Sequence, residues 1–337
     1  MTTGTYVEEI AASARAVLER EAPLDSVLPR LRGESLSAGA WRAAAEVGWF
    51  RLLTTESAGG LGAGPAELAA LFQEIGRHLL SGPFLEDVVA AGPLRDHADL
   101  GPDSCVVTFG RLSPVSGTAA ALSGRSGYVE HAGQADLVLL EAVIAGAHAI
   151  VAVDPRGPGV TLTPVRSVDL VGRPFRLELA GARVETLLEG DGARDALARI
   201  AILTTIAELA QLAGIGRQVL DISIQYAKDR VQFDRPIGSF QAVQHRLAEM
   251  AVTQAAIESC LEAALAETAS EDRWRALHGL AAEMARDLVL SALQVHGGIG
   301  FTDEHPLHAY IKRVLRLEAR AALSDPLAGL GGRLLAG

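Results

Sequence analysis

Two long helical stretches meet at a sharp break in the last third of this chain, and that junction limits what the chain can fold into. Ala201 to Lys228 reads as one helix, with Tyr226 and Lys228 close to its end. Pro236 and Gly238 then interrupt the pattern, and Ser239 is placed to cap a new helix. Beyond it, Phe240, Val243, Leu247, Met250, Ile257, Leu261 and Leu265 recur at helical spacing and predict a buried face. Arg230, Gln232, Phe233 and Gln241 fall outside that stripe, around the turn. An Arg with amide side chains at a helix start can hold an anion such as a diphosphate, while an aromatic ring covers a base. An ordinary helix-turn-helix corner carrying exposed charge is the plainer reading of the same spacing.

A second break follows the predicted helix Ala276 to Val295, where the chain runs Gln294-Val-His-Gly-Gly-Ile-Gly-Phe-Thr-Asp-Glu-His-Pro306. Gly297, Gly298 and Gly300 end the helix and would let backbone approach a ligand closely. Together the two segments resemble the acyl-CoA dehydrogenase family. The resemblance rests on Arg230, Gln232, Phe233, Ile237, Gln241, Leu247, Ala248 and Met250, and then on Gln294, Gly297, Gly298, Gly300, Glu304 and Pro306. Near the N-terminus, a Gly59-Gly-Leu-Gly62 loop precedes a helix over Ala66 to Leu80 carrying Glu74, Gly76 and Arg77, with Pro83 beyond, which is also similar to that family.

The rest of the chain agrees with such an architecture. Tyr6 to Leu18 is amphipathic, and Ala40 to Phe50 places Trp41, Val47 and Trp49 on one packing face. Short apolar runs at Cys105 to Phe109, Leu137 to Val143, Ala149 to Val153, Val160 to Pro164 and Phe175 to Leu179 read as strands. The expected fold is therefore mostly α with a central β-domain. It comprises an N-terminal helical domain (1–103), a small, shortened β-barrel domain (104–190) and a C-terminal four-helix bundle (191–337). At 337 residues and 49% apolar composition, two or three packed domains are affordable.

A formal charge of −11 argues against nucleic acid as a partner, since phosphate binding needs a broad basic surface. Cys105 and Cys260 are too few for a disulfide framework, and no secretory signal is visible, so a cytoplasmic location is expected. The apolar run Leu137 to Val153 is broken by Glu141 and His148 and reads as strand rather than membrane span. His305 and His308 flank Pro306 without a supporting ligand set, so no metal is expected. Arg32, Arg42 and Arg51 read as a solvated charge set.

The resemblance implies FAD as cofactor, an acyl-CoA or carrier-tethered acyl substrate, and formation of an α,β double bond. It also implies a separate electron-transfer acceptor. In the family the flavin lies between β-domain and bundle, and its adenosine diphosphate reaches a neighbouring subunit. By that resemblance Arg230 faces the diphosphate and Phe233 the adenine, while Gln232, Gln241, Gln294, Gly297 and Gly298 complete the site. Two departures stand out. The family's acidic Pro-Gly-Ala-Gly-Ser-Asp-like loop and Trp-Ile-Thr-like strand have no recognisable counterpart in Val106 to Pro114 or Gly127 to Val138, although Thr108, Ser113 and Ser116 offer hydroxyls. The family's base is a Glu beside Gly-Thr, yet ungapped counting puts Ala321 near that place.

Some relatives carry the base on the first bundle helix, where Glu208 is the nearest carboxylate; a solvent-facing helix residue is the alternative for it. Glu318 and Asp325 are poorer candidates. Three readings stay open: a dehydrogenase working alone or with a partner, a catalytically degenerate subunit of a heteromeric dehydrogenase, and the family fold used for another reaction on an acyl thioester. Assembly is expected through the bundle, as a homo-oligomer or as a heteromer with a related subunit.

Overall fold

The computed structural model describes residues 3–32, 36–113, 115–266 and 271–323. In chain order the main elements begin with helices α1 (Thr3–Glu21), α2 (Ala38–Glu46) and α3 (Pro65–His78). Eight strands follow: β1 (Val107–Arg111), β2 (Val115–Thr118), β3 (Ala121–Glu130), β4 (Leu137–Ile144), β5 (Ala147–Val153), β6 (Val160–Pro164), β7 (Pro174–Ala182) and β8 (Glu185–Glu189). The chain then forms α4 (Gly190–Asp229), a small hairpin of β9 (Val231–Gln232) and β10 (Arg235–Pro236), α5 (Gln241–Leu265), α6 (Glu271–His296) and α7 (Leu307–Leu323).

Two compact units result. Among the described residues, the first takes those up to Pro29, Pro65–Leu80 and those from Thr205 on; the second takes those within Arg30–Gly64 and Ser81–Thr204. The first unit is helical. Its α3 and α4 cross at unusually short range because both supply glycine: a Cβ on Gly76 would lie 2.5 Å from the Gln211 carbonyl oxygen, and one on Gly214 2.0 Å from that of Gln73. Leu209, Leu212 and Ile215 on α4 are fully buried, each such side chain contributing about 1.5–3 kcal/mol. Arg15 on α1 reaches the buried Glu74 of α3 at 2.6 Å, and Tyr310 of α7 donates its hydroxyl to the Arg77 carbonyl at 2.6 Å. The family-like Glu74 and Gly76 therefore serve helix packing, and the Arg77 side chain reaches Asp221 of α4 at 3.4 Å.

In the second unit, β1–β4–β5–β8 form one sheet, with β1 parallel to β4, and β2–β3–β7–β6 form an antiparallel second sheet. Gly110 lets β1 pack on β3, since a Cβ there would meet Val129 at 2.7 Å. The long apolar run becomes the β4–β5 hairpin, turned through Ala145 and Gly146 at φ 51° and 86°, the conformation a two-residue hairpin loop needs. Asp87, in a π-helical turn, and Arg95 form a fully buried pair at 2.8 Å; the same guanidinium donates to the Phe50 carbonyl, and Asp87 accepts from the Val107 amide. That pair ties the helical part of the unit to β1.

Several sequence expectations need correction. Val47 is 40% exposed while Trp41 and Trp49 are buried, because Gly48 takes φ 81° and ends the helix before the second Trp. Arg51 is not simply solvated: it holds Asp103 at 2.8 Å and donates to the Ala58 carbonyl. Ser239 does not cap α5; its hydroxyl turns back to the Pro236 carbonyl, and Phe240 occupies the cap position without a side-chain bond. Along α5, Met250, Ile257 and Leu261 are buried, but Phe240, Val243, Leu247 and Leu265 are only half-buried. Among the described residues, α4 is long and apolar enough to cross a membrane, yet 56% of its most apolar window is buried within the protein.

Candidate functional site

The end of α4 sets up the first segment. Arg230 donates its amide to the Tyr226 carbonyl at 2.9 Å, closing the last turn, and its own carbonyl accepts from Ile237 at 2.8 Å. Between these bonds β9 and β10 pair, with Arg235 opposite Gln232. The loop is Phe233-Asp234, both at positive φ (53° and 62°). A two-residue hairpin demands this backbone, and Asn-Gly would meet it at lower cost. An aromatic residue held there is strained, and strain of this kind collects at functional sites. Phe233 is 86% exposed. Its ring meets Phe240 edge-on at 6.1 Å, and the Arg235 guanidinium stacks on Phe240 at 4.0 Å, fixing the hairpin to the start of α5. Arg230, Gln232 and Gln241 are all exposed, with the Gln232 amide donating only to its neighbour's carbonyl.

The second segment begins where α6 stops. Gly297 takes φ 59° and starts a 3-10 turn through Phe301. Gln294, Gly297 and Gly298 are exposed, and a Cβ built on either glycine meets nothing within 4 Å. Gly300 has a packing reason instead, since its Cβ would fall 2.9 Å from Leu293. The two segments are brought to one end of the helical unit by Tyr226, whose hydroxyl donates to the His296 carbonyl at 3.3 Å and whose ring stacks on His296 at 4.5 Å. All seven residues expected to touch a cofactor thus surround one helix-end junction, with polar groups, open backbone and an exposed ring.

The expected base has a different setting. Glu208 is 4% exposed, so the solvent-facing alternative does not hold. One carboxylate oxygen lies 2.6 Å from Arg320 Nε on α7, and the other 3.7 Å from His278 Nε2 on α6. Burial is the main cause of a lowered pKa at His278; Glu208 opposes it and Arg320 reinforces it, so the imidazole is neutral near pH 7 and Arg320 is the cation facing the carboxylate. Ala321 is buried on α7, next in sequence to Arg320. Glu318 pairs with Arg286, while Asp325 lies outside the described residues. Sequence reasoning missed Arg320 and His278; an Arg on a predicted amphipathic helix carries no mark of a buried partner on another helix.

In the second unit, the Thr108 hydroxyl is buried and donates to the Glu130 carbonyl at 2.6 Å, whereas Ser113 and Ser116 are exposed. A cleft of about 310 Å³ lies there between Pro93–Leu94 and the first turns of α4, and none of the candidate residues above lines it. Among the described residues, no group of three or more His, Cys, Asp or Glu side chains is arranged to hold a metal ion.

Residues 6–98 match the acyl-CoA dehydrogenase N-terminal domain and 188–319 the C-terminal domain of the same family. The acyl-CoA dehydrogenase FadE27 of Mycobacterium tuberculosis is 32% identical, the match covering 80% of each chain. This chain belongs to the acyl-CoA dehydrogenase family. The acyl-CoA dehydrogenase IpdE2 of the same organism is likewise 32% identical, over 90% of this chain and 84% of its own. Among solved structures, a variant of the Tcur3481-Tcur3483 steroid ACAD superposes with a TM-score of 0.82 at 25% identity, covering 98% of this chain and all of that one. Butyryl-CoA dehydrogenase from Megasphaera elsdenii shares the fold, with a TM-score of 0.84 at 17% identity and 99% of each chain covered.

Proposed function

We propose that this acyl-CoA dehydrogenase chain takes part in FAD-dependent α,β-dehydrogenation of an acyl thioester as one subunit of an assembly with a related dehydrogenase chain, to which it supplies the dinucleotide-binding end. The observation that carries this reading is the convergence of Arg230, Phe233, Gln241, Gln294, Gly297 and Gly298 on one exposed helix-end junction, while the buried carboxylate Glu208 is ion-paired within the fold. The adenosine diphosphate half of FAD needs a cation and N–H donors for two phosphates and an apolar face for the base. Those residues fit that half.

FAD, when bound, supplies the electron sink for hydride leaving the β-carbon. The chain's own work is binding and orientation. Arg230 offers a charge-assisted contact to phosphate, the two glutamines offer amide donors, and the bare backbone at Gly297 and Gly298 permits close approach. Phe233 is presented outward by its strained turn. A carboxylate that removes the α-proton then comes from the partner chain, because Ala321 has none and the Glu208 carboxylate is ion-paired to Arg320 of α7.

Two further observations support an assembly. Over residues 241–252 of α5 only Met250 is buried, and Val252 is 71% exposed; three turns of helix this poorly covered are marginal alone. The superposed steroid ACAD also combines two differently named chains, Tcur3481 and Tcur3483. The test is to purify the chain alone and co-expressed with a related full-length subunit. A yellow complex that acyl-CoA bleaches, beside a colourless single chain, is expected. A yellow single chain that acyl-CoA reduces would favour a dehydrogenase complete in itself.

A further inference from the structure

The exposed segments attract attention, but the rings beneath them bear on how the site is held. Tyr226 in the last turn of α4, His296 at the last position of α6 and His305 just before α7 form one cluster. Tyr226 stacks on His296 at 4.5 Å, His296 meets His305 at 4.6 Å, and Tyr226 meets His305 edge-on at 6.5 Å. Each ring is also tied to backbone. Tyr226 donates to the His296 carbonyl, His296 Nδ1 donates to Ala292 at 2.9 Å, and His305 Nδ1 accepts the Leu307 amide at 3.2 Å at the start of α7. These bonds fix the tautomers: His296 carries its proton on Nδ1 and His305 on Nε2. The Leu307 bond requires a neutral His305, and burial, which lowers the His296 pKa, favours a neutral ring there too, which suits stacking without charge repulsion.

The cluster lies where the two ligand-facing segments leave the bundle. Arg230 is bonded to Tyr226 through its amide, and Gly297 follows His296 directly. Neither segment supports itself well. The hairpin has two residues per strand and two non-glycine residues at positive φ, and the 297–301 turn exposes Ile299 and Phe301, the latter at 70%. A two-strand hairpin of this size has almost no independent stability. Their relative placement must come from what holds the ends of α4 and α6 together.

We propose that the Tyr226–His296–His305 ring cluster is a brace that fixes the hairpin 231–236 and the turn 297–301 at one spacing, so that both present a preformed surface to a dinucleotide. These are positioning residues: none needs to touch the ligand. The benefit is preorganisation, since a surface already ordered loses less freedom on binding. The use of the brace rests on the dinucleotide reading above; the brace itself does not.

Hydrogen–deuterium exchange on the full chain, with and without its co-expressed partner, separates the two. Tyr226→Leu removes a ring, His305→Asn removes a ring but keeps an acceptor for the Leu307 amide, and Tyr226→Phe keeps the ring and loses only the hydroxyl. Loss of one ring contact should raise exchange in both segments by about three- to tenfold, the range a ring pair is worth. Tyr226→Phe should stay near wild type, and flavin should leave the assembled Tyr226→Leu and His305→Asn proteins faster in proportion. Should Tyr226→Leu melt globally, His305→Asn alone decides. Faster exchange in only one of the two segments overturns the brace. Joint loosening with unchanged flavin retention leaves the brace standing and sinks the dinucleotide reading instead.

Discussion

Glu208 lies within the 40-residue α4 and Arg230 directly follows its last residue, and their surroundings differ in kind. Glu208 is closed in by two other helices and held at 2.6 Å by Arg320, with His278 beside it. Arg230, at the helix end, is exposed among exposed neighbours, next to a hairpin whose loop residues are held at positive φ. One region has its charge ion-paired within the fold; the other presents charge, amides and an aromatic ring outward at a cost in strain. Buried charge without a partner is too expensive to keep, so once Glu208 is buried the fold must hold a cation beside it. Strained, exposed groups answer no such need of the fold, and point to something that binds them.

The sharpest way to break this contrast is Arg320→Ala. It would leave Glu208 buried without its cation, and breaking such a pair costs about 3–5 kcal/mol; with Arg320 35% exposed, about 3 is expected. Urea melts should show that loss, and Glu208→Gln added to Arg320→Ala should recover most of it. A loss below about 1 kcal/mol would mean the pair is no more than a surface contact.

Arg230→Ala should behave oppositely. Melting should barely move, while flavin binding by the assembled protein weakens by about 1.5–3 kcal/mol through loss of a charge-assisted bond. Gel filtration with absorbance at flavin wavelengths checks it, and wild-type flavin occupancy would return Arg230 to an ordinary surface charge.

A smaller effect follows pH. His305 is lowered to about 4, first by burial and then by His296 and His308; the last of these has Lys312 at 3.3 Å and Asp303 at 3.7 Å. The unfolded chain, with His near 6.5, binds more protons than the native state between those values. Stability is therefore full above about pH 6.5 and falls as pH drops toward 4, and burial of His278 and His296 adds slope of the same sign. Melting temperature against pH should be flatter for His305→Asn.

The least effect is a gain. Asp234→Gly relieves a left-handed residue at some entropic cost, for a net increase of about 0.5 kcal/mol. Phe233→Gly should also be tolerated by the fold yet lose flavin affinity, which would tie the strain to binding.

The sequence made the long helices legible because their apolar spacing is regular, and the ligand-facing segments legible because glycine, proline and an Arg-aromatic pair break that spacing in a family-like way. Strands β2, β3 and β8 were missed: Ala121–Glu130 alternates glycine, serine and charge, and its pairing with β7 contains register shifts that blur any two-residue period. The Glu208 environment was illegible for another reason. Arg320 lies 112 residues further along the chain, and nothing local to either residue records that α4 and α7 meet there.

Turnover with an acyl-CoA substrate, measured for the chain alone and in complex with a related subunit, each as wild type and Glu208→Gln, bears most directly on this division of labour. A flavin-free, inactive single chain is expected, together with a flavin-bound complex whose turnover changes little on Glu208→Gln once folding is controlled by melting temperature. Brisk turnover by the single chain that collapses on Glu208→Gln, with the fold intact, would make Glu208 the base and contradict the assignment of its carboxylate to packing.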